Sequence, residues 1–200
     1  MTAPTRRTQE ERRAATQGKL MDATIDCLVE LGYRDTSIGR ICERAGVSHG
    51  GLFRHFPTRT ALIGAATERM VRRHLEHLGQ LLQEPDPTRD LVETMVRFFR
   101  DSARAPLSAA WREVMVAART NEELREALVP AVQRFEDSIM HAASVFPGAP
   151  SATREFGTLV LSLLHMFESE ASTVVVLDTR DVQEIRLQWA TELLRNALKP

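Results

Sequence analysis

The 200-residue sequence predicts an all-α protein of about nine helices, divided into a small N-terminal part and a larger C-terminal one. Three observations carry that expectation. Apolar residues recur at helical spacing along nearly the whole chain, and no sustained two-residue alternation of the strand type appears. Glycine, proline, serine and threonine stand where helices should start or stop. The run Glu84-Pro85-Asp86-Pro87 breaks the pattern and marks the connection between the two parts.

The elements follow in order. A first helix runs from about Gln9 to Leu31, with Leu20, Thr24, Cys27, Leu28 and Leu31 on its inner stripe, and stops at Gly32. A short second helix starts near Ser37 and ends at Gly46. Ser48 caps a short third helix that closes before Pro57, and Thr58 caps a long fourth one carrying Leu62, Ile63, Ala66, Met70, Leu75 and Leu78. Asp86 can cap a fifth helix with Pro87 in its first position, where the missing N–H costs nothing. Pro106 ends that helix, and a sixth carries Trp111, Val114, Met115 and Ala118. Thr120-Asn121-Glu122-Glu123 reads as a capping box opening a seventh helix to about Val145, with a bend expected at Pro130.

Phe146-Pro147-Gly148-Ala149-Pro150 is a loop, and Ser151 caps an eighth helix. That helix is apolar on most sides between Phe156 and Phe167, which predicts burial of more than one face. Val174-Val175-Val176-Leu177 has strand propensity but no partner strand, so it reads as a hydrophobic connection or a helix end. Asp178-Thr179-Arg180-Asp181 opens the last helix, with Val182, Ile185, Trp189 and Leu193 on one stripe.

Composition narrows the function classes. A hydrophobic content of 43% supports a real core, and no apolar run approaches the roughly 20 residues that span a bilayer. Met1 to Arg13 is polar and charged, so no secretory apolar region is read there. A soluble, cytoplasmic chain without a membrane partner is expected. Cys27 and Cys42 both sit on apolar helical stripes and read as packing thiols rather than a redox switch. His74-x-x-His77 lacks an evident third ligand, so neither a metal nor a cofactor is expected. No nucleophile, base or metal constellation suggests an enzyme. Residues 1–80 hold 13 Lys+Arg against 9 Asp+Glu, and the remainder 13 against 18, a basic first part joined to an acidic second. Nucleic-acid readers with a regulatory body share that asymmetry.

The segment from about residue 37 to 56 carries the most chemistry. Two short helices flank a glycine-centred turn, with Ile38, Ile41, Ala45, Val47, Leu52 and Phe56 as the inner scaffold. Gly46 supplies the turn, where a side chain at positive φ would be strained. The third helix then presents His49, Gly50, Gly51, Phe53, Arg54 and His55 outward from its Ser48 cap, as a helix-turn-helix presents its second helix to base edges. Two adjacent glycines cost a helix roughly 2 kcal/mol relative to alanine, which fits a backbone that must approach something closely. His49 can bond a base edge or a phosphate. Arg54, His55 and Arg59 can meet phosphates, and Arg54 a guanine. Ser37 and the N–H groups opening the second helix, beside Arg40, make a second phosphate site.

The run Gly32-Tyr33-x-x-Thr36-Ser37-Ile38-x-x-Ile41, followed by Ala45-Gly46-Val47-Ser48-x-Gly50-x-Leu52-Phe53-x-His55-Phe56-Pro57-x-Arg59-x-x-Leu62, closely resembles the TetR family of bacterial regulators. Specific motifs cover roughly residues 14–74, and a matching helical order extends loosely to the C-terminus. The resemblance implies a DNA-binding domain over 14–74 and a ligand-binding and dimerisation domain over 85–200. It also implies a homodimer on a palindromic double-stranded operator, most simply a repressor released by a small hydrophobic effector. An activator or a ligand-independent regulator of the same fold is the alternative, and a helical interaction protein that never binds DNA a further one. Phe53 stands where the family usually has a tyrosine whose hydroxyl meets a phosphate, and Arg59 where it usually has lysine. Gly51 and Gly39 stand where side chains often touch bases or add positive charge. These departures bear on which operator is read.

The C-terminal part holds bulk rather than motif. Phe98, Trp111, Met115, Phe135, Met140 and His165 could line a pocket for the effector, although residue by residue ordinary core packing is the favoured account of such aromatic and methionine stripes. The last two helices carry more apolar surface than one small domain needs. By the resemblance they would pair between chains, through Leu159, Leu163, Met166, Ile185, Trp189 and Leu193.

Overall fold

A computed structural model describes residues 8–83, 90–151 and 153–199. Among them the chain forms nine α-helices and no strand: α1 (Gln9–Asp35), α2 (Ile38–Ala45), α3 (His49–Phe53), α4 (Arg59–Gln83), α5 (Leu91–Arg104), α6 (Pro106–Ala118), α7 (Glu122–Ser144), α8 (Thr153–Thr173) and α9 (Arg180–Ala197). The all-α class and the helix order agree with the sequence reading. The Asp86-Pro87 start expected for the fifth helix lies outside the described residues. Within them, Asp90 caps α5, its carboxylate accepting the N–H groups of Val92 and Glu93.

Other boundaries follow from local chemistry. α1 is interrupted at Gly32, whose φ of 74° leaves the helical region, and one further turn follows before Thr36. Ser37 caps α2, and Gly46 closes it at φ 63°. Thr58 accepts the Ala61 N–H at the start of α4, and Asn121 accepts the Leu124 N–H at the start of α7. Val174 to Leu177 forms an irregular turn between α8 and α9.

The chain divides into two compact units that interleave in sequence. Of the described residues, the first comprises those within 8–70 and 110–129, and the second those within 71–83, 90–109 and 130–199. α6 after its first turn, and the beginning of α7, therefore pack with the N-terminal helices, and the chain leaves that unit at Pro130 inside α7.

In the first unit Leu20, Ala23 and Cys27 of α1 meet Ile41 and Cys42 of α2, Leu52 of α3, Phe56 and Leu62. Each fully buried leucine or isoleucine here contributes about 1.5–3 kcal/mol. Leu52 is the one fully buried side chain of α3 and anchors that short helix to the others. Arg44 of α2 pairs with Glu30, and Arg69 of α4 with Asp22, tying both helices to α1 at the surface. The α7 backbone approaches α4 closely, since a Cβ on Gly64 would stand 2.8 Å from the Ala127 carbonyl oxygen.

In the second unit α5 packs on α8 and α9 around Met95, Val96, Phe99, Val160, Leu163, Phe167, Leu187 and Leu194. Glu170, with 1% of its side chain exposed, accepts hydrogen bonds from Arg104 at 2.7 Å and Arg186 at 3.2 Å. Two guanidiniums offset the desolvation of one buried carboxylate, so removing either would leave it under-compensated.

The eighth helix departs from expectation. It buries one stripe (Phe156, Val160, Leu163, Phe167), while Leu159, Leu161, Leu164 and Met166 are only half-buried. The apolar surplus that suggested burial on several faces stays partly outward within the single chain.

Candidate nucleic-acid interface

The first unit presents one polar edge, built where α2 and α3 begin. Ser37 and Ser48 each adopt extended backbone and turn their hydroxyls onto the first turn of the next helix. Ser37 Oγ accepts the Arg40 N–H at 3.3 Å, and Ser48 Oγ accepts the Gly51 N–H at 3.1 Å. Both serine hydroxyls therefore serve as caps. The two starts lie near each other, since a Cβ on Gly39 would be 3.9 Å from His49 Nε2.

Around this edge Ser37, Arg40, Ser48, His49, Gly50, Phe53 and Arg54 are exposed, Phe53 to 48%. Beneath them Ile41, Leu52 and Phe56 are buried. Alternation of this kind aims the polar and glycine positions outward while the apolar ones lock the two helices together. The exposed ring of Phe53 offers a phosphate no hydroxyl.

The two glycines of α3 have different reasons to be glycine. A Cβ on Gly51 would stand 3.0 Å from Val47 Cγ1 and 3.2 Å from the capping Ser48 Oγ, so the cap itself leaves little room. A Cβ on Gly50 would meet nothing within 4 Å. Internal packing does not require Gly50.

Arg59 and His55 are less exposed than the others. Arg59 Nε donates to the Thr36 carbonyl at 2.9 Å and Nη2 to the Tyr33 carbonyl at 2.6 Å, and its guanidinium lies 4.4 Å from the Tyr33 ring centroid. Much of its donor capacity is thus committed to the turn between α1 and α2. His55 is half-buried, and its Nδ1 is buried without a hydrogen-bond partner.

Sequence reasoning missed the residues that hold this edge from α6 and α7. Glu113 accepts the Tyr33 N–H at 2.6 Å, and Glu123 accepts the Thr58 hydroxyl at 3.0 Å. No local pattern announces either contact, because the partners stand 80 and 65 residues apart.

Burial pushes the Cys27 thiol above its usual range, outweighing the nearby Arg44, and burial likewise raises Cys42. Both thiols are free and protonated at neutral pH, as packing residues would be. His74 is held down to about 4 by burial and then by His77, and its Nε2 lies 3.5 Å from Ser108 Oγ. Among the described residues no group of three or more His, Cys, Asp or Glu is placed to hold a metal, and no helix is long and apolar enough to cross a membrane.

The pocket residues expected from sequence are scattered. Trp111 and Met115 fall in the first unit, while Phe98, Phe135, Met140 and His165 fall in the second. Met115 and His165 are exposed, and Phe135 and Met140 half-buried, with Met140 closely packed over Gly157. Phe98 lines an open cleft of about 530 Å³ with Asp90, Glu93, Thr94, Arg97 and Asp101. A separate apolar cavity between Met95, Phe99, Ile139, Phe146 and Phe156 measures only about 10 Å³. Of the residues expected between chains, Ile185 and Trp189 are 64% and 57% exposed, Leu159, Met166 and Leu193 are half-buried, and Leu163 belongs to the unit's own core.

Residues 20–66 match the family model of bacterial regulatory proteins, tetR family. The HTH-type transcriptional regulator Rv2912c of Mycobacterium tuberculosis is 35% identical over 193 residues, covering 96% of this chain and 99% of that protein. GusR of Salmonella enterica superposes with a TM-score of 0.63 at 23% identity, over 93% of this chain and 96% of that one. The multidrug binding protein EbrR, solved with imidazole, gives 0.61 at 19% identity, over 92% and 94%.

Proposed function

This chain belongs to the TetR family of DNA-binding transcriptional regulators, and we propose that it binds a palindromic operator as a homodimer and leaves it when a small hydrophobic molecule binds the C-terminal part. The observation that carries the DNA-reading assignment is the exposed edge of α2 and α3. Polar groups and an unobstructed glycine backbone project from two short helices whose apolar sides are buried.

α3 enters the major groove with Gly50 against the DNA backbone or base edges and His49 on a base edge or phosphate. Arg54 supplies a phosphate contact or a bidentate guanine contact, and His55 a phosphate contact. Ser37, Ser48 and Arg40 position phosphates at the helix starts, with the capping hydroxyls orienting the backbone N–H groups. Arg59 contributes positive charge but acts first as a brace of the α1–α2 turn. Phe53 and Gly51 add no hydrogen-bonding side chain, so base reading falls on His49 and Arg54.

Repression with release by an effector is the simplest mode for a two-part regulator of this kind. We assign the effector to the apolar interior beside Phe99 and Phe156 on the chemistry of its lining alone, and the cavity there would have to widen from about 10 Å³ toward the roughly 300 Å³ or more that drug-sized ligands occupy. A similar fold in EbrR, a multidrug binding protein, supports a small-molecule role. The second copy pairs through the exposed Ile185 and Trp189 face of α9 with Leu159 and Met166 of α8.

The assignment is tested by fluorescence polarisation on a duplex that the wild-type protein enriches from a randomised pool. Arg54→Ala and His49→Ala should each weaken binding by about 1–3 kcal/mol with the thermal midpoint unchanged. Parallel loss of thermal stability would make these residues structural instead.

A further inference from the structure

The turn that leads from α1 into α2 is gripped from two sides. Arg59 takes its carbonyls, donating to Tyr33 O and Thr36 O, while Thr36 Oγ1 donates to Gly32 O at 2.7 Å within the turn. Glu113, on α6, accepts the Tyr33 N–H at 2.6 Å. The carboxylate reaches that N–H because residue 32 has no side chain: a Cβ there would stand 2.5 Å from Glu113 Oε2. Four residues after Tyr33 comes Ser37, the cap of α2 and a proposed phosphate contact. A second contact of the same kind holds the other junction, with Glu123 accepting the hydroxyl of Thr58, which itself caps α4.

We propose that Glu113 is a positioning residue for DNA reading: by accepting the Tyr33 N–H it fixes the turn that sets Ser37 and the start of α2 against the DNA. Glu113 touches no DNA in this arrangement and acts through the turn. The reading head accordingly includes residues 110–129 as well as the helix-turn-helix. A carboxylate beside a polyanion would by itself repel DNA, so its presence here is explained by the hydrogen bond and not by its charge. The inference rests on the assignment of Ser37 and α2 to the DNA interface.

Glutamine separates acceptor from charge. It keeps an oxygen for the Tyr33 N–H and removes the negative charge, whereas alanine removes both. On a duplex enriched by the wild-type protein, Glu113→Ala should bind about tenfold more weakly at matched folded fraction, the scale of one lost hydrogen bond. Glu113→Gln should stay within about twofold of wild type, and amide exchange at Tyr33 should be faster in the alanine variant only. Unchanged or tighter binding by Glu113→Ala would overturn the proposal, as would equal loss in both variants or a fall in melting temperature alone. A wild-type protein that enriches no duplex would instead overturn the DNA-interface assignment beneath it.

Discussion

Gly50 and Gly51 look alike in the sequence and differ in the structure. The cost of paired glycines in a five-residue helix pointed to a backbone that must come close to something, and only Gly50 keeps that explanation, because Val47 and the Ser48 cap already crowd Gly51. Alanine at a helical position without steric conflict stabilises by about 0.4–1 kcal/mol. Gly50→Ala should therefore raise the melting temperature while weakening DNA binding, a pair of opposite signs readable by thermal melting and polarisation. Gly51→Ala should give no such gain, since the new methyl presses on the cap. Undiminished DNA affinity in Gly50→Ala would remove the close-approach role. Arg59 gives a similar lesson. Its charge suggested a phosphate contact, and its position among Tyr33, Thr36 and the turn was not legible, because hydrogen bonds to carbonyls 23 and 26 residues away leave no local pattern.

Helices and their ends were the most legible level. Caps at Ser37, Ser48 and Thr58 and the stops at Gly32 and Gly46 are short-range chemistry, and each sits where its residue type requires. Which apolar face turns inward was harder to read. α9 carries two: Leu187, Ala190 and Leu194 are buried, while Val182, Ile185 and Trp189 are exposed. Periodicity detects a stripe but does not say what covers it, and the same ambiguity placed His165 among pocket residues when it faces outward from α8. The exposed α9 stripe supplies a direct experiment. Trp189→Glu should shift the protein toward monomer in light scattering, weakening association by at least about 2 kcal/mol if the indole is a central anchor. Its helical circular dichroism should persist, since the side chain lies outside its own unit's core. A dimer of unchanged strength would place the contact elsewhere.

At the scale of the molecule, the sequence suggested a boundary near the Glu84–Pro87 run, whereas compactness follows a different division. Residues 110–129 pack with the N-terminal helices, and the chain returns to the second unit at Pro130. Nothing local predicts that exchange, because α6 and α7 have ordinary amphipathic patterns and their partners are distant in sequence. The basic bias of residues 1–80 was visible, and it agrees with an exposed edge carrying Arg40 and Arg54. The proposed function requires this edge to read a specific duplex largely through phosphates. Enrichment from a randomised duplex pool, followed by polarisation of the recovered sequence across a salt series, tests it most directly. The expected result is a palindromic sequence bound by two protomers, with log affinity falling by about 0.9 per decade of salt for each phosphate neutralised. A folded protein that enriches no sequence, or binds with an affinity flat in salt, would contradict it.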